Sequence, residues 1–236
     1  MIKKAWPLLA LTSFMSTAGS NQYDDIVIRD ALKKITLTPT VEESVDLVSN
    51  SMDWYLFYGG KSFTGENKYI SAPYLINGAV HKCATPATAS DCKSSYISPY
   101  DYTFIDNNEN HKSSFQNVNA EQTSIGIQHL LKNTGDGFGF DVKIPNTGRY
   151  IVTLFHKGWK SSSKMSVCTA SNCKEQFLKQ VIGSHQFFSI NKVEVEVTTT
   201  NNNETVQFNF KRQDRHYDYK GTQWQVLEAV KLEEVQ

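Results

Sequence analysis

Hydrophobic and polar residues alternate along much of the chain. Phe138, Phe140, Val142 and Ile144 are separated by Gly139, Asp141 and Lys143. Val193, Val195 and Val197 alternate with Lys192, Glu194 and Glu196, and Val206, Phe208 and Phe210 with Gln207 and Asn209. Successive strand residues point to opposite faces, so a period of two predicts half-buried β-strands. Residues 150–155 (YIVTLF) are apolar on both parities, which predicts a central strand covered on both sides. Residues 124–131, 223–232 and 100–105 are further predicted strands, and Trp54, Leu56 and Tyr58 share one parity that assigns them to the core. Between these runs lie turn formers: Asn133-Thr134-Gly135-Asp136-Gly137, Pro145-Asn146-Thr147-Gly148 and residues 198–204. Helix is predicted only over residues 25–34 and 173–181. Many short strands joined by turns predict an all-β chain, an antiparallel β-sandwich with little helix.

The first 20 residues break this pattern. Lys3 and Lys4 precede an apolar run from Ala5 to Met15, and small residues follow at Ser16, Ala18 and Ser20. This is the layout of a signal peptide, cleaved after Ala18 or Ser20. The run is shorter than the roughly 20 residues a spanning helix requires, and no other segment is long and apolar enough to predict a membrane span. The expected location is secreted or periplasmic. Residues 21–40 are then a leader or an added edge segment, and residues 41–236 the sandwich. Residues 82–123 read as a polar, loop-rich insertion containing the single strand at 100–105.

The 24 Lys and Arg balance the 24 Asp and Glu. Loss of Lys3 and Lys4 leaves 22 basic against 24 acidic residues, a net charge of −2. A nucleic-acid partner, which would favour a basic excess, is not expected. Cys83 and Cys92 flank ATPATASD, and Cys168 and Cys173 flank TASN. Four cysteines allow three pairings; the two local ones are favoured, each closing a small polar loop. Four thiolates can also hold zinc, but neither spacing is C-x2-C, and export favours disulfides.

From Ser44-Val45-Asp46-Leu47 and Asp53-Trp54, the chain continues through GDGFGFDV (135–142) and GRYIVTLF (148–155) to Gly158-Trp159. This order, closed by the strand at 224–232, resembles the galactose-binding-like β-sandwich modules of secreted bacterial proteins, which have a jelly-roll fold. The resemblance spans residues 41–233. It implies a non-catalytic, often carbohydrate-binding module that acts beside secreted hydrolases. Where such modules carry a short polar turn, this chain has Val167-Cys168-Thr169-Ala170-Ser171-Asn172-Cys173, so no binding residue is carried over.

Signatures of catalysis are missing: the chain has no H-E-x-x-H, no G-x-S-x-G and no phosphate-binding glycine loop. Gly135, Gly137 and Gly139 run into an alternating strand, not a helix, and read as a turn and a thin strand. The six histidines have no metal-ligand spacing, and His129 and His156, within strands, read as structural. Asp106, Asn107, Asn108, Glu109 and Asn110 could hold a structural calcium ion but read first as a solvated turn. No other cofactor and no metal site is expected, and the chain is read as not being an enzyme.

Aromatic residues in two loop segments carry the functional expectation. Trp159 ends a strand beside Lys157 and Lys160, and residues 211–220 combine Arg212, Asp214, Arg215, Tyr217 and Tyr219. Sugars stack their apolar faces on such rings while planar donors and acceptors bind their hydroxyls. Trp159, Arg212, Asp214, Arg215, Tyr217 and Tyr219 are therefore the candidate ligand-binding residues, with a glycan or cell-surface polysaccharide as partner. The alternative is an envelope or extracellular interaction protein that binds another protein.

Overall fold

The computed structural model describes residues 32–39, 43–58, 61–82, 100–112, 126–159, 162–178, 188–213 and 223–235. Among them are sixteen strands in three sheets and no helix. The large sheet runs β1 (Leu32–Pro39), β14 (Phe188–Thr199), β11 (Gly148–Trp159), β16 (Gln223–Val235), β3 (Asp53–Tyr58), β4 (Lys61–Thr64). Along one side, β16 changes partner midway. Residues 223–227 pair with β9 (Ile127–Leu131), which in turn pairs with β6 (Val80–Lys82), and residues 229–232 pair with β3. A bulge lies at the same point: Phe155 faces Ala229 and His156 faces Leu227, which leaves Glu228 as the extra residue.

The second sheet runs β13 (Cys173–Leu178), β12 (Ser162–Cys168), β15 (Glu204–Gln213), β10 (Gly137–Ile144), β5 (Tyr74–Ile76). The main core lies between it and the large sheet, and the alternating residues fill it as their parity requires. Phe138, Phe140, Val142, Val206, Phe208 and Phe210 face Tyr150, Val152, Leu154, Val193, Val195 and Val197, all at most 1% exposed. Register pairs Phe138 with Phe210 and Phe140 with Phe208, and their rings stack at 4.7 and 4.9 Å. Each buried aromatic contributes about 2 kcal/mol from burial. An exposed ion pair such as Arg149–Glu196 contributes well under about 1 kcal/mol, so packing dominates the stability.

A third sheet covers the opposite face of the large one. It comprises β2 (Glu43–Asp46), β7 (Tyr100–Asp106) and β8 (Glu109–Lys112), with β2 and β7 parallel. Val45, Leu47, Tyr100, Tyr102 and Phe104 pack on Trp54, Leu56, Phe155 and Ala229 to form a second core. Part of the expected insertion is thus a structural layer. The expected parity of β3 holds for Trp54 and Leu56, with Tyr58 packed alongside, but Tyr55 and Phe57 are buried too, in the first core. This strand has a core on each face.

Two expectations are corrected. Both predicted helices are strand where described: Leu32–Pro39 pairs along β14, and Cys173–Leu178 pairs along β12. Pairing with a neighbour satisfies the backbone of each segment, and this outweighs weak local preference. The Cys168–Cys173 disulfide is formed and closes the β12–β13 hairpin, whose turn is tied by Thr169 N–H donating to the Asn172 carbonyl at 2.8 Å. Cys83 and Cys92, and the proposed signal peptide, lie outside the described residues. The oxygen-rich stretch is the β7–β8 turn. Asn107 and Asn108 take φ of 51° and 66°, the paired left-handed conformation that a two-residue hairpin turn requires. Among the described residues no group of His, Cys, Asp or Glu is gathered to hold a metal.

Candidate functional site

The outer face of the five-stranded sheet carries the polar parity of its strands. Its neighbouring positions are Gly139 and Asp141 on β10, Gln207, Asn209 and Lys211 on β15, Lys164 and Ser166 on β12, and Glu175 and Phe177 on β13. Two aromatic rings are exposed at its opposite edges, Tyr74 and Phe177, each 37% accessible.

Tyr74 is held in place. In register it faces Gly139, and a Cβ on Gly139 would come within 2.7 Å of the Tyr74 ring and 2.5 Å of Asn209 Oδ1. Glycine is therefore what lets the ring lie down across β10. The Tyr74 hydroxyl is within 3.2 Å of both Asp141 Oδ1 and Asn209 Oδ1. Partial burial, reinforced by the Asp141 charge, pushes the phenol up to about 12, so it stays a neutral hydrogen-bond donor at physiological pH. Ser71 fixes Asp141 from the edge: its Oγ accepts from Asp141 N–H at 2.8 Å, and its own N–H donates to the Asp141 carbonyl at 2.9 Å. At the far edge, Lys164 sits 6.0 Å from the Phe177 ring centre and pairs with Glu175. Four strand spacings, about 19 Å, separate the strands that carry the two residues, and the Tyr74 ring reaches inward from its edge across β10 to Asn209 on β15. The face offers a rigid ring, a second ring and a row of amides, hydroxyls and charges between them, which suits a long polar ligand with apolar patches. Tyr74 and Phe177 are not among the ligand-binding residues predicted from the sequence. The available signal was Gly139 inside an otherwise large-residue strand, which marks a close approach by another group.

The residues predicted from sequence are distributed differently. The backbone register sets Trp159 between Phe188 of β14 and Trp224 of β16, three aromatic positions side by side on adjacent strands; Trp224 is half-buried. Arg212 is only 5% exposed, and its Nη1 donates to the carbonyls of Leu131 at 3.2 Å and Lys132 at 2.6 Å. Its backbone N–H donates to the Asp136 carbonyl, and its own carbonyl accepts from Gly135 N–H. These contacts make Arg212 an anchor of the 131–136 turn, not a group on the surface. Asp136 completes that anchor by accepting from the N–H groups of Lys132, Asn133 and Gly78. The Gly135–Gly139 stretch is accordingly a turn and a thin strand. Asp214, Arg215, Tyr217 and Tyr219 lie outside the described residues.

One end of the main core is polar. His129, His156, Gln223 and Gln225 are fully buried there. The two imidazoles bracket a pair of phenyl rings, with His129 on Phe138 at 3.9 Å and His156 on Phe210 at 5.1 Å. Burial drives His156 down to about 3, against a smaller opposing effect of Gln225, so it is neutral and serves as packing. On the other side of the large sheet, Lys157 is paired with Glu228, and the Tyr102 hydroxyl donates to Glu228 Oε2 at 2.6 Å.

No family model and no curated protein matches this chain. Solved structures show partial similarity. The carbohydrate-binding module TmCBM61, determined in complex with β-1,4-galactotriose, aligns over 52% of this chain and 79% of its own at 16% identity and a TM-score of 0.35. The enzymatically active domain of bacteriophage CBA120 tailspike protein 4 aligns over 48% of this chain and 16% of its own, with 13% identity and a TM-score of 0.33. The 4-O-methyl-α-glucuronidase BtGH115A, specific for decorated arabinogalactans, aligns over 58% and 16%, with 13% identity and a TM-score of 0.30. At these scores the similarities inform neither ligand nor activity.

Proposed function

We propose that this is an exported, non-catalytic protein that binds a glycan or cell-surface polysaccharide. The observation that carries the reading is Tyr74: an exposed ring, pinned flat across Gly139 by Asp141 and Asn209, on a face otherwise lined with hydrogen-bonding side chains. A pre-oriented ring loses little conformational freedom on binding, which favours stacking of a pyranose. Asn209, Gln207 and Ser166, its neighbours in register, supply the donors and acceptors that hydroxyls require. Trp159, set in register between Phe188 and Trp224, and Asp214, Arg215, Tyr217 and Tyr219 are further proposed contact residues.

A glycan array probed with the exported protein tests this, followed by titration of Tyr74→Ala, Phe177→Ala, Trp159→Ala and Arg215→Ala. Loss of one stacking partner is expected to weaken binding about tenfold, equivalent to about 1.4 kcal/mol. Thermal melting of each variant separates a lost contact from a lost fold. Failure to bind any array member, or unchanged affinity in all four variants, refutes the reading. A stoichiometric protein captured by the wild type, together with a silent array, would replace it with the interaction-protein alternative.

A further inference from the structure

Glu228 is the extra residue of the β16 bulge, and the bulge turns its side chain to the outer side of the large sheet, beside Lys157 on the neighbouring strand. Both side chains are removed from water: that of Lys157 is 5% exposed and that of Glu228 is 0% exposed. Aromatic residues surround this part of the second core. Tyr100 and Tyr102 pack edge-on against Phe155 at 4.7 and 5.4 Å, and Tyr102 reaches Glu228 Oε2 with its hydroxyl. An amine and a carboxyl group are therefore held in contact in a dry site, with an acidic O–H on the carboxyl oxygen that is not facing the amine.

We propose that Lys157 and Glu228 condense to an intramolecular amide that ties β11 to β16. Proton transfer within the pair gives an amine and a carboxylic acid with no change in net charge. Lys157 Nζ then attacks Glu228 Cδ, forming the C–N bond, and the Cδ–Oε2 bond breaks. The Tyr102 hydroxyl hydrogen-bonds Oε2 as charge develops on it, and the departing oxygen leaves as water with the protons released by nitrogen. The balance is ammonium plus carboxylate to amide plus water, with no oxidant, reductant or activating co-reactant.

Two physical effects favour the step here although it is unfavourable between free side chains in water. Fixed contact replaces a bimolecular encounter, and well-oriented intramolecular reactions reach effective concentrations of about 10⁵ M and above. The product removes two buried charges, whose desolvation costs several kcal/mol each, while the reverse reaction would have to bring water in and regenerate them. The amide would also lock the bulge at which β16 changes partner from β9 to β3.

Intact mass spectrometry of the denatured, disulfide-reduced full chain tests this independently of ligand binding and of any variant's ability to fold. The expected result is a deficit of one water, about 18 Da, from the mass of the processed sequence. Fragmentation should place the linkage between the peptides bearing Lys157 and Glu228. Lys157→Arg, which keeps the charge but not the amine, should restore the full mass. A wild-type mass with no deficit overturns the proposal, as does a deficit that persists in Lys157→Arg or maps to another site.

Discussion

Lowering the pH from 7 to 5 should destabilise this protein through His156. The ring is fully buried and titrates near 3 in the folded state, against an ordinary value of 6.5. The unfolded chain therefore takes up a proton below pH 6.5 that the folded chain refuses until about pH 3. Stability from this group is complete above 6.5 and falls as the pH drops through that window. Each pH unit costs about 1.4 kcal/mol, so the interval from 6.5 to 5 removes about 2 kcal/mol. Urea unfolding at pH 7 and pH 5, on the wild type and on His156→Phe, measures it. Phenylalanine keeps a ring against Phe210 but cannot titrate, and His129 and the carboxylates are common to both proteins. The wild type should lose about 2 kcal/mol more than the variant between the two pH values. Equal losses would refute the assignment of His156 as a neutral packing residue.

Two further perturbations address the fold. Gly137→Ala places a Cβ into the Phe210 carbonyl oxygen, with Lys211 Cα only 3.1 Å away; backbone must move, so a loss of at least about 2 kcal/mol is expected in thermal or denaturant melts, and a neutral result would contradict the β10–β15 spacing. Replacing Cys168 and Cys173 together by serine opens a cross-link of sequence separation 5; the short loop sets the expected loss at about 2 kcal/mol in urea, and an unchanged midpoint would show that the hairpin is held by its ladder alone.

The sequence alone determined the sandwich. Alternation at 138–144, 193–197 and 206–210 assigns each side chain to a face whatever its partner strand, because the pleat is a local property of the backbone. The two-sided apolar run at 150–155 likewise announced a central strand, and TASN between Cys168 and Cys173 announced a loop closed by a disulfide. Pairing was not local. Residues 173–178 carry no clear period and became strand only because β12 offers them a ladder, and β3 gained a second core from a hairpin nearly 50 residues later in the chain. The candidate site depended on such pairings too. Tyr74 is unremarkable in sequence, and only the register that sets it against Gly139, with Asp141 and Asn209 beside it, makes it a fixed and exposed ring. Arg212 shows the converse: its setting in a charged segment suggested the surface, yet two carbonyls about 80 residues earlier hold it in the interior. Composition and period fix which face a side chain takes. What that face meets is decided by contacts between residues far apart in the chain, which no local pattern encodes.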